Sequence, residues 1–215
     1  GAPETLHDFS GFSPALHRMQ YPAPGAPALA ERVAALLGRA NIPAELHPTR
    51  GLDHGAWVPL SAMYPRATVP VTQLSLIRHG SPAQHYALGQ ALAPLRDEGV
   101  LIVATGAITH NFGWLDWRNA AARPVPQAQV FADWVAAQLD AQDVSALMAY
   151  RSAPGGAAAH PAKSASCRCL SRWRGGRGVA AALSDPVQLR RLGDGRICVA
   201  RCLYASYGPG GAGRL

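Results

Sequence analysis

The stretch DEGVLIVATGAITHN, Asp97 to Asn111, constrains the fold more than any other part of the chain. Its apolar run, Val100 to Ala104, is followed at once by Thr105 and Gly106, and soon after by His110. A run this short suits a strand covered on both faces better than a helix. Such a strand needs a layer on each side, so the flanking sequence must supply helices. Pro27 suits the first position of a helix, and Leu29, Val33, Leu36 and Leu37 follow at i, i+4, i+7 and i+8 on one face. Gly38 and Asn41-Ile42-Pro43 stop that helix. Val69 to Leu76 is rich in β-formers and reads as a strand. Pro82 opens a second helix with Leu88, Leu92 and Leu95 on one face, ending over Arg96 to Gly99. Pro126 to about Gln142 reads as a third, with Val130, Phe131, Trp134, Val135 and Leu139 inward. Strands alternating with helices predict a layered α/β domain.

The 215 residues are enough for one such domain with a sizeable core, and 48% of them are hydrophobic. No apolar run is long enough to span a bilayer, and the start has no basic-then-apolar leader. The net charge of +7 is unevenly placed. Residues 1–161 carry 10 Lys+Arg against 11 Asp+Glu, while residues 162–215 carry 10 against 2. All four cysteines, Cys167, Cys169, Cys198 and Cys202, also lie in the second part. This asymmetry predicts a domain over 1–161 and a poorly ordered basic tail over 162–215, not a disulfide framework.

Histidine carries the candidate chemistry, because imidazole both binds metals and moves protons near neutral pH. His110 follows the apolar strand, and open α/β sheets bind ligands beyond the carboxyl ends of their strands. His54 lies in the turn-prone segment GLDHGAW, and His7 precedes aromatics and a glycine in TLHDFSGF. His85 shares a helix face with Leu88 and Leu92 and reads as a packed histidine at the edge of the core. For His54 and His110 the competing reading is a histidine bonded to loop backbone. The RHG triplet, Arg78 to Gly80, follows a predicted strand and would suit a phosphate-handling enzyme; a three-residue match is weakly specific. The basic tail raises a nucleic-acid-binding alternative, though it lacks an ordered groove-binding element.

Longer motifs point elsewhere. TLHDFSGF, YPAPGAPALAERVA, GLDHGAWVPLSAMYP, VPVTQLSL, HYALGQALAPLRDEGVLIVATG and THN stand in order across about Pro3 to Asn111. Together they resemble the class III extradiol ring-cleavage dioxygenases, in the bacterial branch related to the DOPA extradiol dioxygenases. The resemblance implies an α/β layered sandwich with a central mixed sheet flanked by helices, incomplete in this chain. It implies an oxidoreductase that opens a catecholic ring with dioxygen, using one Fe(II) or Zn(II) per intact site. His110 matches a metal-ligand histidine of that family, and His54 its acid/base histidine. His7, Asp53, His85 and Asn111 become candidate lining of the substrate pocket. The implied partners are a small catecholic substrate and dioxygen, with no nucleic acid and no membrane, in the cytoplasm; the oligomeric state stays open.

The chain also departs from the pattern. The family's HGSP strand and a later histidine strand both precede HDF, and the RHGSP found here comes after VTQLSL instead. After His160-Pro161 the family's next ligand histidine has no match. Joining the third base of each codon to the next two over Ser166 to Trp173 permits LPLFVAL, a family helix. A shift by the other step over Arg190 to Val199 permits GDSAMDAY, close to the family's terminal segment. The expectation is a domain truncated at its N-terminus, with a tail translated out of frame and with little activity as it stands.

Overall fold

A computed structural model describes residues 1–116, 119, 123–161 and 196–201, the last stretch by its backbone. Three short parallel strands hold the fold together: β1 (Val71–Ser75), β2 (Val100–Thr105) and β3 (Arg196–Arg201). Their order is β1-β3-β2, and both pairings are parallel. The expected mixed sheet is therefore met, among the described residues, by parallel pairs only. Ser75, Arg201 and Thr105 align across the register and mark a common carboxyl edge. Strand β3 lies within 162–215, the stretch expected to form a poorly ordered tail with few regular elements. Its sequence Ile197–Ala200 is a short apolar run, the composition that central parallel strands take. Residues 162–195 and 202–215, where the rest of that expectation falls, lie outside the described residues.

Side chains alternate across a strand with a period of two, so one strand can serve two layers. Val71, Leu101 and Val103 pack with Tyr21, Leu52, Trp57 and Leu60 in one core cluster. Leu74, Val100 and Ile102 pack with Leu29, Val33, Leu36, Leu88, Leu92 and Leu95 in another. The first cluster contains α3 (His54–Met63); the second contains α2 (Pro27–Arg39) and α4 (Pro82–Ala91). The predicted face of α2 is the one that is buried, through Leu29, Val33, Leu36 and Leu37.

Local chemistry sets the element ends. Ser81 accepts from the Gln84 amide while the Gln84 side chain accepts from the Ser81 amide, a reciprocal cap that starts α4 at Pro82. Pro94 lacks an N–H and would clash with the preceding turn, so the chain passes into a 3-10 turn over Ala93–Arg96. Leu95 still reaches the core there.

A third cluster gathers α5 (Pro126–Ala141), α6 (Val144–Met148) and α7 (Gly156–Ala159) around Phe131, Val135, Leu147 and Tyr150. The helix predicted from Pro126 is present, but Val130 points outward and is 49% exposed. Phe131 and Val135 define the buried face at i and i+4, and Val130 sits about 100° away from Phe131 on the helical wheel. Gly156 is obligatory in this cluster, because a Cβ there would overlap the Tyr150 carbonyl.

Candidate functional site at the carboxyl edge of the sheet

Backbone pairing brings the first residues of the chain to α3. Thr5 and Leu52 form a parallel bridge, with Leu6 N–H donating to the Leu52 carbonyl and Leu52 N–H to the Glu4 carbonyl, both at 2.8 Å. Only glycine fits at position 51, since a Cβ would overlap the Glu4 carbonyl oxygen. Two parallel segments tied at this point carry Asp8 and His54 forward together. His54 opens α3, and Asp8 Oδ1 accepts from both its ring Nδ1, at 2.7 Å, and its backbone N–H, at 3.1 Å. A carboxylate at a helix N-terminus also suits the helix dipole.

Asp53 stands at the N-cap of α3 without capping it through its side chain. Its buried carboxylate accepts from Gln73 Nε2 on β1 at 2.5 Å and lies 3.5 Å from the Arg50 guanidinium. Gln73 Oε1 in turn accepts from the Asp53 N–H at 3.1 Å. Asp53 thus binds the start of α3 to the sheet.

The other end of this anchor involves an interior proline. Pro59 has no N–H to offer the carbonyl of Gly55, four residues back. Thr105, the last residue of β2, supplies the missing donor: its Oγ1–H bonds the Gly55 oxygen at 2.7 Å. The first turn of α3, with His54 in it, is thereby fixed to the carboxyl edge of β2. His110 follows Thr105 in the loop that leaves the same edge.

Aromatic rings flank His54. Phe9 meets its ring nearly edge-on, at 84° and 5.7 Å between centroids. Trp57, fully buried, lies 6.1 Å from Phe9 and 5.6 Å from His7, and donates its indole N–H to the Leu6 carbonyl at 2.9 Å. His7 is in this cluster, with Nε2 held 2.9 Å from the Met19 carbonyl.

The remaining candidates sit elsewhere. His110 donates its backbone N–H to the Ala159 carbonyl at 2.8 Å, and its ring lies 4.8 Å from Phe112. Asn111 donates to the Ala158 carbonyl at 2.8 Å and accepts from the Gly113 N–H at 3.0 Å, capping a 3-10 turn. Both are tied to α7. His85 is buried on α4, with Nδ1 2.9 Å from the Ser81 carbonyl, and no described contact joins it to His54. Arg78 and His79 are exposed in the loop after β1. Among the described residues no three His, Cys, Asp or Glu side chains gather as a metal site would require. No helix among them is long and apolar enough to cross a membrane.

Asp8 and Thr105 are the site residues that sequence reasoning missed. Asp8 stands inside TLHDFSGF, next to the singled-out His7. Its partner is 46 residues away, a distance that no local pattern spans.

Residues 1–168 match the family described as the catalytic LigB subunit of aromatic ring-opening dioxygenase. A Beta vulgaris protein named 4,5-DOPA dioxygenase extradiol is 43% identical over 161 residues, covering 74% of this chain and 59% of that protein. A protein of the same name from Escherichia coli K12 is 42% identical over 163 residues, with the same shares. Dioxygenase tasH of Hapsidospora irregularis is 32% identical over 169 residues, covering 74% of this chain and 52% of its own length. The chain spans 59% of the length of the first two of these relatives.

Proposed function

Since the chain belongs to the LigB family of catalytic subunits of aromatic ring-opening dioxygenases, we propose that the protein it represents opens a catecholic ring beside the diol, with dioxygen and a metal. DOPA and simpler catechols are the substrates to try first, on the names of its relatives. The two-sided packing of β1 and β2 supports a layered α/β sandwich as its frame.

The observation that carries the proposal is the placement of His54. Its imidazole stands at the carboxyl edge of a parallel sheet, bonded to a carboxylate and beside the ring of Phe9. In the proposed reaction it takes a proton from a substrate hydroxyl and later returns it, work that a neutral imidazole nitrogen can do. The phenyl edge of Phe9 offers an apolar contact for the substrate ring. We assign His110 as a metal ligand. The metal would be Fe(II) or Zn(II), and zinc has no redox chemistry of its own for oxygen activation. Protein sites for such metals take about three protein ligands or more. The described residues do not make that set, and the chemistry assigned to His54 is proton handling alone.

The reading frame is proposed to change after about Pro161, beyond which the family match runs only to residue 168. Sequencing the DNA in all three frames beyond His160 tests it. For the reaction, oxygen consumption and ring-opened product are measured with DOPA and catechol. A full-length protein containing this chain should be active once supplied with Fe(II), and the 215-residue chain alone inactive. A full-length protein that consumes no oxygen with any catechol would overturn the assignment.

A further inference from the structure

We propose that Asp8 is the positioning residue for His54: it fixes the ring as its Nδ1–H tautomer, turns Nε2 away from the carboxylate as the basic nitrogen, and steadies the imidazolium formed when that nitrogen takes a proton. What the base acts on rests on the function proposed above; the hold of Asp8 on the ring does not.

A carboxylate that is ionised only accepts hydrogen bonds. The Asp8 oxygen lies 2.7 Å from Nδ1, so that nitrogen must carry the proton. Nε2, on the far corner of the ring, is then the nitrogen with a lone pair in the neutral state. A charge-assisted bond is roughly twice as strong as a neutral one, so it strengthens when the ring becomes cationic. Position is fixed from several sides. The same Oδ1 accepts from the His54 backbone N–H at 3.1 Å, which locks the carboxylate to the first turn of α3. The Thr5–Leu52 bridge fixes the two strands of chain that bear the pair. The near-perpendicular Phe9 ring limits rotation of the imidazole plane.

A simpler role must be separated from this one. Asp8 also serves as the N-terminal cap that Asp53 does not provide. Capping requires only the bond to the backbone N–H and says nothing about the ring. Asp53 is not a competing orienter, because its carboxylate is engaged by Gln73 and Arg50.

The test reads the tautomer directly. The 215-residue chain, labelled with nitrogen-15 in its histidine rings and free of metal and substrate, is observed by imidazole correlation spectroscopy at a pH where His54 is neutral. The His54 signal is identified by its loss in His54→Gln. The wild-type ring should carry its proton on Nδ1, and Asp8→Ala should abolish that preference. A wild-type ring protonated on Nε2, or a folded Asp8→Ala chain with unchanged tautomer, overturns the proposal. Should Asp8→Ala fail to fold, Asp8→Asn replaces it and is read by kcat, not by tautomer, since its amide oxygen can still accept from both the helix N–H and Nδ1–H. In the full-length protein Asp8→Asn should lower kcat by about tenfold or more, because a neutral amide no longer stabilises the imidazolium, with KM within about twofold. An unchanged kcat overturns the proposal. The two readings fail separately: an Asp8-dependent Nδ1–H ring in a full-length protein that opens no catechol leaves Asp8 in place and removes only the dioxygenase assignment.

Discussion

His54 and His160 are the same residue in two regions of one chain, in opposite surroundings. His54 stands at the carboxyl edge of the sheet, half-buried, with a carboxylate on Nδ1 and a phenyl ring beside it. His160 is 2% exposed, with Nε2 2.7 Å from the Ile108 carbonyl and its ring edge-on to both Phe131 and Tyr150. A carboxylate on Nδ1 is the setting that the proton exchange proposed for His54 would use. A neutral carbonyl and two packed rings tie His160 into a core. Burial and the charge of the nearest acceptor separate the two more sharply than sequence context does. His160 precedes a proline in a segment where the family resemblance places chemistry, yet it closes the helical cluster of α5 to α7.

The contrast breaks most visibly at the anchors behind each region. Trp57→Ala should cost about 3–5 kcal/mol, because the indole is fully buried and loses its bond to the Leu6 carbonyl. Urea unfolding measures this, and a cost below about 1 kcal/mol would mean that the wall beside His54 is not a core. His160→Ala should cost about 2–4 kcal/mol through the cavity and the orphaned Ile108 carbonyl. In an active full-length protein its kcat should change far less than its unfolding midpoint. A His160 variant that kept its stability and lost turnover would reverse the comparison.

A finer test lies at the joint between β2 and α3. Thr105→Val removes the donor to Gly55 and leaves a carbonyl that Pro59 cannot serve, at about 1–3 kcal/mol. Thr105→Ser keeps the hydroxyl and should recover most of that loss. Equal stability of the two variants would show that the bond does not hold α3.

The smallest effect is a slope with pH. Burial, with Tyr64 nearby, pushes the Tyr21 phenol from 10.0 up to about 12. The folded chain keeps that proton while the unfolded chain releases it near pH 10. Stability from this group is therefore complete below about pH 10 and is lost as pH rises through about 12. Tyr21→Phe should flatten the fall in urea midpoint over this range; an unchanged slope would show that Tyr21 is not its source.

What could be read from the sequence follows from which interactions are local. The α2 face repeats every three to four residues, and all four predicted positions are buried. The β1 and β2 strands announce themselves by β-branched and apolar runs. Helix α3 does not, because Gly55 and Pro59 are both poor helix formers and its compensating donor, Thr105, lies 50 residues away. His54 and His110 are legible as candidates from their turn-like flanks and their family segments. Asp8 is not, since its role depends on a parallel backbone pairing between residues far apart in the chain. The outward turn of Val130 shows the limit of a wide apolar stripe, where neighbouring hydrophobic residues compete for one face.

Turnover of His54→Gln in the full-length protein decides whether His54 is the general base. Glutamine keeps the helix start and much of the side-chain volume but cannot take a proton. Oxygen consumption at saturating catechol should fall by about 10² or more, the usual worth of a general base, with the urea midpoint nearly unchanged. A His54→Gln enzyme that turns over at the wild-type rate would contradict the account.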